Sequence, residues 1–188
     1  EIPNGLVSID GSEIKIHIDD QIIKLNLEMA VDTNSFAHTA FSISVHETSE
    51  EFIKVLKEHI RQWGTPIGLV CDSGSANLSD ASMNFLDLHD IKPVPAGPAN
   101  PKGNGTIEGA FSQLKKVMGS IHIDSSSPEA LAKSVLQMIV SIYIKMRNKS
   151  PLIRQAKNPA ECMTIPVSDK HRLDVKQKLQ NQIDKKNW

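Results

Sequence analysis

The sequence predicts one α/β domain, with a mixed five-stranded sheet flanked by helices. Three observations predict it: β-rich runs fill residues 5–45, an amphipathic helix follows them, and short strands then alternate with helices. The chain has 188 residues, 39% hydrophobic and 23% charged, a composition that suits one compact domain with a sizeable core. The predicted order of elements is βββαβαβαα.

The first three strands are predicted from "LVSIDGSEIKIHI", "IIKLNLEMAV" and "HTAFSISV", which are separated by the turn-like "DDQ" and "DTNSFA". Three hairpin-linked antiparallel strands are expected. In the helix that follows, Thr48 and Glu51 have capping-box spacing and Gly64 is a stop signal. Its apolar residues recur at helical spacing: Phe52, Val55, Leu56, Ile60 and Trp63.

The rest of the domain alternates strand and helix. "IGLVC" and "IKPVP" predict short strands, and a helix opened by Ser79 lies between them. Two further helices are predicted at about 106–119 and, after an N-cap at Ser127, at 128–147. Residues 1–165 form the predicted main domain, and residues 166–188 are predicted as a charged helical tail or linker because apolar residues are few there.

Composition excludes little else. The formal net charge of −1 gives no bulk electrostatic argument for nucleic acid. Cys71 and Cys162 are far apart and form no metal-ligand spacing, which favours a reducing compartment. No apolar run approaches the ~20 residues of a membrane span and no signal peptide is visible, so we expect a cytoplasmic protein without a membrane partner.

Three carboxylates have positions that suggest chemistry, although each also has a structural explanation. Asp72 follows the apolar strand "IGLVC", where open α/β sheets bind ligands, but Asp before Ser-Gly also caps turns. Asp10 lies within a strand, where a buried acid needs a positive partner, unless a bulge at Asp10-Gly11 turns it onto its own backbone. Glu108 opens a helix, where the macrodipole favours an acid.

Together the three acids point to a metal site. Converging carboxylates repel one another unless a proton or a cation intervenes. Oxygen ligands without nearby Cys or His favour Mg²⁺ or Mn²⁺. Two such ions about 4 Å apart can activate a nucleophilic oxygen and stabilise the leaving oxygen of a phosphodiester.

The stretches "ID" at Asp10, "VCDSGSAN" at Asp72 and "PANPKGNGTIEGAFSQLKK" around Glu108 resemble the catalytic core of retroviral-type integrases and related bacterial transposases. Between Asp72 and Glu108 lie 35 residues, the spacing of the family's D,D(35)E signature. "LQMIVSIYIKMRNKSPL" and "NPAE" are similar to the family's closing helix and trailing segment. The chain departs from many relatives around "VSIDGSEI", which leaves Asp32 in "AVDTNSFAH" as a rival first acid; the resemblance favours Asp10.

The resemblance implies a ribonuclease H-like fold and a DNA transposase or integrase core in which Asp10, Asp72 and Glu108 hold two Mg²⁺ or Mn²⁺ ions. It implies cleavage at element ends, joining of 3′-hydroxyl ends to target DNA, and homo-oligomers, with no small-molecule substrate. Ser112 and Lys115 share the face of Glu108, so Lys115 is a candidate for holding the DNA end, unless it is an ordinary surface lysine. Lys102 and Asn104 in the preceding glycine-rich loop are further DNA-binding candidates.

Two other functions stay open. A ribonuclease H-like nuclease would use the same metals to hydrolyse strands without joining them, and an inactive DNA-binding or assembly module would keep the fold with a degraded site. The "NPAE" segment also suggests a bacterial origin. Basic residues after the last core helix, among them Lys145, Arg147 and Lys149, could contact phosphate but suit a solvated face.

Overall fold

The computed structural model describes residues 2–71, 79–95, 128–152 and 156–186. In these residues the predicted five-stranded mixed sheet is present, and its strand order is β3-β2-β1-β4-β5. The strands are β1 (Leu6–Ile18), β2 (Gln21–Asp32), β3 (His38–Ser44), β4 (Gly68–Cys71) and β5 (Lys92–Pro95). The helices described are α1 (Ser49–Trp63), α2 (Asp80–Leu88), α3 (Pro128–Lys149), α4 (Pro159–Met163) and α5 (Asp169–Lys186). The helix predicted at 106–119 lies outside the described residues.

The register of the sheet fixes which side chains share a face. β1 pairs antiparallel with β2 along its length, so the predicted hairpin arrangement is confirmed. β1 also pairs in parallel with β4, and β4 with β5. A bulge in the β2–β3 pairing places His38 opposite Val31, while Ala40 lies opposite Ala30.

Helix α1 begins and ends where the sequence predicts. The Thr48 side chain accepts a hydrogen bond from the Glu51 backbone N–H, and Gly64 ends the helix at φ 82°, a conformation that suits glycine. A full capping box would also have a hydrogen bond from the Thr48 N–H to the Glu51 side chain. Here the Glu51 carboxylate instead pairs with Lys54 at 3.3 Å.

Each face of the sheet has its own hydrophobic core. Side chains alternate along a strand, so Val7 and Ile9 of β1 pack with Phe52 and Leu56 of α1. Farther along β1, Ile14 and Ile16 belong to the other core, which packs against α3. The α3 residues in that core are Ala132, Leu136, Val140 and Tyr143.

Helix α5, within the predicted charged tail, packs on the domain. Leu179 is buried against a third cluster that includes Ile67 and Val70. It lies so close to Gly68 that a Cβ there would meet the Leu179 side chain at 2.8 Å. Arg172 donates to the backbone carbonyl of Thr65. Among the described helices, none is long and apolar enough for a bilayer span.

Candidate functional site

Asp10 lies in the middle of the sheet on the face that α3 covers. Its cross-strand partner is Met29, a member of the α3-side core. The side chain is partly exposed, unlike its buried neighbour Ile9. One carboxylate oxygen accepts a hydrogen bond of 2.9 Å from the Gly11 N–H. The Asp10 side chain thus accepts a hydrogen bond from the adjacent backbone, as the sequence analysis considered, although β1 continues without a break. The side chain is still partly exposed to solvent.

The neighbouring strand leads to the second predicted acid. β1 and β4 run in parallel, with Leu6 opposite Gly68 and Ser8 opposite Val70. β4 ends at Cys71, the residue before Asp72 in the sequence. Asp72 and Glu108 lie outside the described residues, as do the four predicted DNA contacts Lys102, Asn104, Ser112 and Lys115.

Asp32, the rival first acid, is part of a buried turn. It is 0% exposed, and one carboxylate oxygen accepts from the Asn4 N–H at 2.9 Å. The other oxygen accepts from both the N–H and the hydroxyl of Ser35, each at 2.7 Å. Burial raises the pKa of Asp32, while the hydrogen bonds from Ser35 and Asn4 oppose that rise. These contacts tie the end of β2 to the N-terminal segment.

Glu28 is a buried acid that the sequence analysis did not single out. It lies opposite Gly11 on β1 and Ser42 on β3, on the α1 face of the sheet, and is 1% exposed. Burial, followed by repulsion from Glu47, Glu51 and Asp10, raises its pKa to about 8. Its place in the strand "IIKLNLEMAV" was the available signal, because the same reasoning that selected Asp10 applies to it.

Two buried histidines, one on β3 and one on α1 in contact with β3, differ in their hydrogen-bond partners. His59 on α1 contacts the Thr39 hydroxyl at 2.8 Å and the Asn4 side-chain oxygen at 2.9 Å. Burial lowers its pKa to about 4, so the neutral ring acts as a structural link. His38 on β3 is 3% exposed, and neither ring nitrogen has a hydrogen-bond partner within the described residues. Sequence reasoning assigned neither ring a role.

Solved structures with a similar fold include three from retroviruses. The chain matches the simian T-cell lymphotropic virus intasome in complex with PP2A regulatory subunit B56 gamma, with a TM-score of 0.67 and 20% identity. That match covers 88% of this chain and 56% of the viral chain, so this chain spans little more than half of the viral chain's length. The HTLV-2 integrase catalytic core domain in complex with magnesium, in its dimeric form, matches with a TM-score of 0.65 and 21% identity, over 86% of this chain and 97% of that chain.

The catalytic core domain of BIV integrase matches with a TM-score of 0.62 and 19% identity, over 84% of this chain and 92% of that chain. The chain has the fold of a retroviral integrase catalytic core. This is the ribonuclease H-like architecture predicted from the sequence. No protein-family model matches the sequence, and no curated protein matches it.

Only some of the predicted site residues lie in the part of the chain that the structure describes. No group of three or more His, Cys, Asp or Glu side chains suited to a metal ion occurs among the described residues, which include one of the three predicted ligands, Asp10. The basic residues at the end of α3 divide into exposed Lys145 and Lys149 and half-buried Arg147.

Proposed function

We propose that this chain is the catalytic core of a DDE-type DNA integrase or transposase, a metal-dependent polynucleotidyl transferase. The proposal rests on the integrase-type fold together with the order and spacing of Asp10, Asp72 and Glu108. Neither observation suffices alone, because one fold hosts many functions and a motif can occur by chance.

The position of Asp10 carries the proposal. Its partly exposed carboxylate stands on β1, beside the parallel strand after which Asp72 follows in the chain. Asp32, by contrast, is fully buried and already accepts three hydrogen bonds. Of the two candidates for the first acid, Asp10 is therefore the one whose side chain is partly exposed.

The donor set fits a hard divalent cation. Asp10 offers carboxylate oxygens, and Ser8 and Ser12, its neighbours on the same strand face, are small. Asp72 and Glu108 would supply the remaining carboxylates, an oxygen-only set that suits Mg²⁺ or Mn²⁺. A pair of such ions supplies charge neutralisation at the phosphoryl group and activation of the attacking oxygen. The chain's own acids would fix where the phosphodiester sits.

The proposed activity has two steps at the same acids. In the first, water attacks a phosphodiester at the end of a DNA element, and the bond to the 3′ oxygen breaks to leave a 3′-hydroxyl. In the second, that hydroxyl attacks a phosphodiester of target DNA in line, forming a new phosphodiester while the target's 3′ oxygen leaves. Positioning of both DNA ends against one another requires an assembly of several copies, and we propose a homo-oligomer.

DNA contacts are proposed for residues around the third acid. In the helix that the sequence predicts at about 106–119, Ser112 and Lys115 would be one and two turns beyond Glu108, so a phosphate beside the acids would be within their reach. Lys102 and Asn104 precede Glu108 in the glycine-rich stretch, which we predict to be a loop where the DNA backbone can approach closely. A cytoplasmic location in a bacterium remains our prediction from the sequence.

The test is a DNA-joining assay with labelled duplex ends and a separate target, in Mg²⁺ or Mn²⁺. Wild-type protein is expected to yield both cleaved ends and joined products, and Asp10→Asn to yield neither. Glu13→Gln is the matched control, because Glu13 lies on the same strand but is exposed and pairs with Lys15 and Lys24. Cleavage without joining would indicate a nuclease. A well-folded wild type inactive on every DNA would indicate a binding or assembly module.

A further inference from the structure

Three polar side chains meet where α3 crosses the edge strand β3. They are His38 at the start of β3, and Tyr143 and Arg147, one helical turn apart on α3. The imidazole and phenol rings are T-shaped, with centroids 5.5 Å apart. Asn148 fixes the crossing: its side-chain oxygen accepts from the His38 N–H at 2.9 Å, and its amide donates to the His38 carbonyl at 2.7 Å.

Each of the three side chains has a buried polar atom without a hydrogen-bond partner in the described residues. The atoms are both ring nitrogens of His38, the Tyr143 hydroxyl and the Arg147 Nε. His38 is 3% and Tyr143 8% exposed. The Arg147 charge opposes the rise that burial causes in the Tyr143 pKa, and so does a contact of its guanidinium with the Tyr143 hydroxyl that is too distorted to count as a hydrogen bond of ordinary geometry. Leaving such groups unpaired is costly, at about 1–3 kcal/mol each.

The charge of the cluster is also unbalanced. Among the described residues, Arg147 forms no ion pair with any carboxylate. Burial and the Arg147 charge lower the pKa of His38 to about 4, and the Phe36 backbone opposes part of this shift. The imidazole is therefore neutral near pH 7. The contrast with His59 is direct, because that equally buried ring has a partner at each nitrogen. The cluster thus has one positive charge and several unused donors.

We propose that His38, Tyr143 and Arg147 form a binding site for a carboxylate. A carboxylate has one negative charge, which balances Arg147, and two oxygens that accept hydrogen bonds from the guanidinium, the phenol and a ring N–H. A water molecule could pair the polar atoms but would leave the guanidinium without a counter-charge. A phosphate dianion would bring one charge too many into a site with a neutral imidazole.

The site reaches the surface at Arg147, which is half-buried, and it borders a groove that His38 also lines. A groove of about 960 Å³ runs between α1, β3 and α3, and His38 and Asn148 line it together with Lys145. Tyr143 and Arg147 do not line this groove. The carboxylate could belong to a small acid that diffuses in or to an Asp or Glu side chain of a polypeptide that reaches the cluster beside the groove. The carboxylate site shares no residue with the proposed DNA-processing acids, so this proposal does not depend on the proposed function.

The test uses the whole chain and follows the His38 ring by NMR during titration with acetate, with phosphate titrated in parallel at constant ionic strength. Saturable His38 shifts with acetate, at least about 10-fold tighter than with phosphate, are expected. Blocked glutamate serves as the second carboxylate probe. Tighter binding of blocked glutamate than of acetate would identify a polypeptide side chain as the source, whereas equal binding would identify a free small acid.

Substitutions distinguish a specific carboxylate site from non-specific attraction of anions to lysine side chains. Tyr143→Phe and Arg147→Met are each expected to weaken acetate binding about 10-fold or more, as loss of a hydrogen bond to a charged group does. Lys145→Met is the control, because it removes an exposed charge from the same groove and should change the affinity less than twofold. His38 shifts that do not saturate, equal binding of phosphate, or an equal loss in Lys145→Met would overturn the proposal. Unchanged binding in Arg147→Met, with the fold intact by circular dichroism, would also overturn it.

Discussion

Asp10 and Asp32 lie on neighbouring, paired strands and follow similar apolar runs, yet their surroundings are opposite. Asp32 is 0% exposed and accepts three hydrogen bonds from Asn4 and Ser35. Asp10 is partly exposed and accepts a short-range bond from Gly11. The Asp32 carboxylate has both oxygens engaged in hydrogen bonds that hold the chain together, whereas the Asp10 carboxylate is partly exposed.

The comparison shows that an acid in an apolar setting has two distinct uses. A carboxylate whose oxygens are filled by backbone and hydroxyl donors contributes to folding, and replacing it leaves those donors unpaired. A partly exposed carboxylate on a strand keeps part of its hydration on folding, so we expect its replacement to cost less stability. Stability and activity should therefore respond in opposite ways to substitution at the two positions.

The largest expected effect is on activity at Asp10. Asp10→Asn should lower the rate of DNA cleavage and joining by about 10³-fold, because an amide is a poor ligand for the proposed metal pair, whose contribution is several kcal/mol. Its melting temperature should stay within a few degrees of wild type. Rates are compared by gel assay of labelled DNA, with Glu13→Gln as the control. Wild-type rates in Asp10→Asn would break the comparison with Asp32.

The next effect is on stability at Asp32. Asp32→Ala should lower the free energy of unfolding by about 3 kcal/mol, because it leaves the Asn4 and Ser35 N–H groups buried without acceptors. Urea titration followed by circular dichroism measures this change. Asp20→Asn, in the exposed β1–β2 turn, is the control and should have little effect. A loss below about 1 kcal/mol would contradict the structural role of Asp32.

Glu28 sharpens the comparison, because it is an acid that burial holds protonated. Its folded-state pKa is raised from 4.5 to about 8, so its contribution to stability is present below pH 4.5 and is lost as pH rises through 8. Between pH 6.5 and 8 wild type should lose about 2 kcal/mol, at roughly 1.4 kcal/mol per unit. Glu28→Gln, which cannot ionise, should abolish this loss. Urea titrations at both pH values measure it, and an unchanged slope in Glu28→Gln would refute it.

The window above pH 6.5 is chosen because of the two buried histidines. The folded-state pKa values of His38 and His59 are lowered to about 4. Their contribution to stability is present above the ordinary value near 6.5 and is lost as pH falls toward 4. As the pH falls below 6.5, the stability lost through the histidines opposes the stability gained through Glu28. Only the window above pH 6.5 therefore separates the effect of the Glu28 carboxyl from theirs.

The smallest expected effect is at Ser35. Ser35→Ala removes the hydroxyl that donates to Asp32 but keeps the backbone N–H bond, so unfolding free energy should fall by about 1 kcal/mol. In Asp32→Ala the same serine substitution should cost less, since the hydrogen bond is already absent. A double-mutant cycle measures this coupling. Equal losses in both backgrounds would mean that the two side chains act separately.

The sequence alone predicted the five strands and helices α1, α2 and α3 in their order, because periodicity and capping are local properties. β-rich runs between turn-like segments predicted β1 to β3, helical spacing and Thr48 predicted α1, and Ser79 opened α2 as expected. The integrase-type fold was also predicted, from motifs whose order and spacing are visible in the chain. Asp10 was chosen over Asp32 by resemblance alone, since both follow apolar residues.

The tertiary structure decided what depends on distant partners. The hydrogen bonds that bury Asp32 come partly from Asn4, 28 residues away, and Asn148 reaches His38 across 110 residues. Helix α5 shows the same dependence. Its few apolar residues predict a solvated helix, yet Leu179 is buried because Gly68 leaves room for it. Burial and charge are sums over neighbours that the fold brings together, and a local pattern cannot contain them.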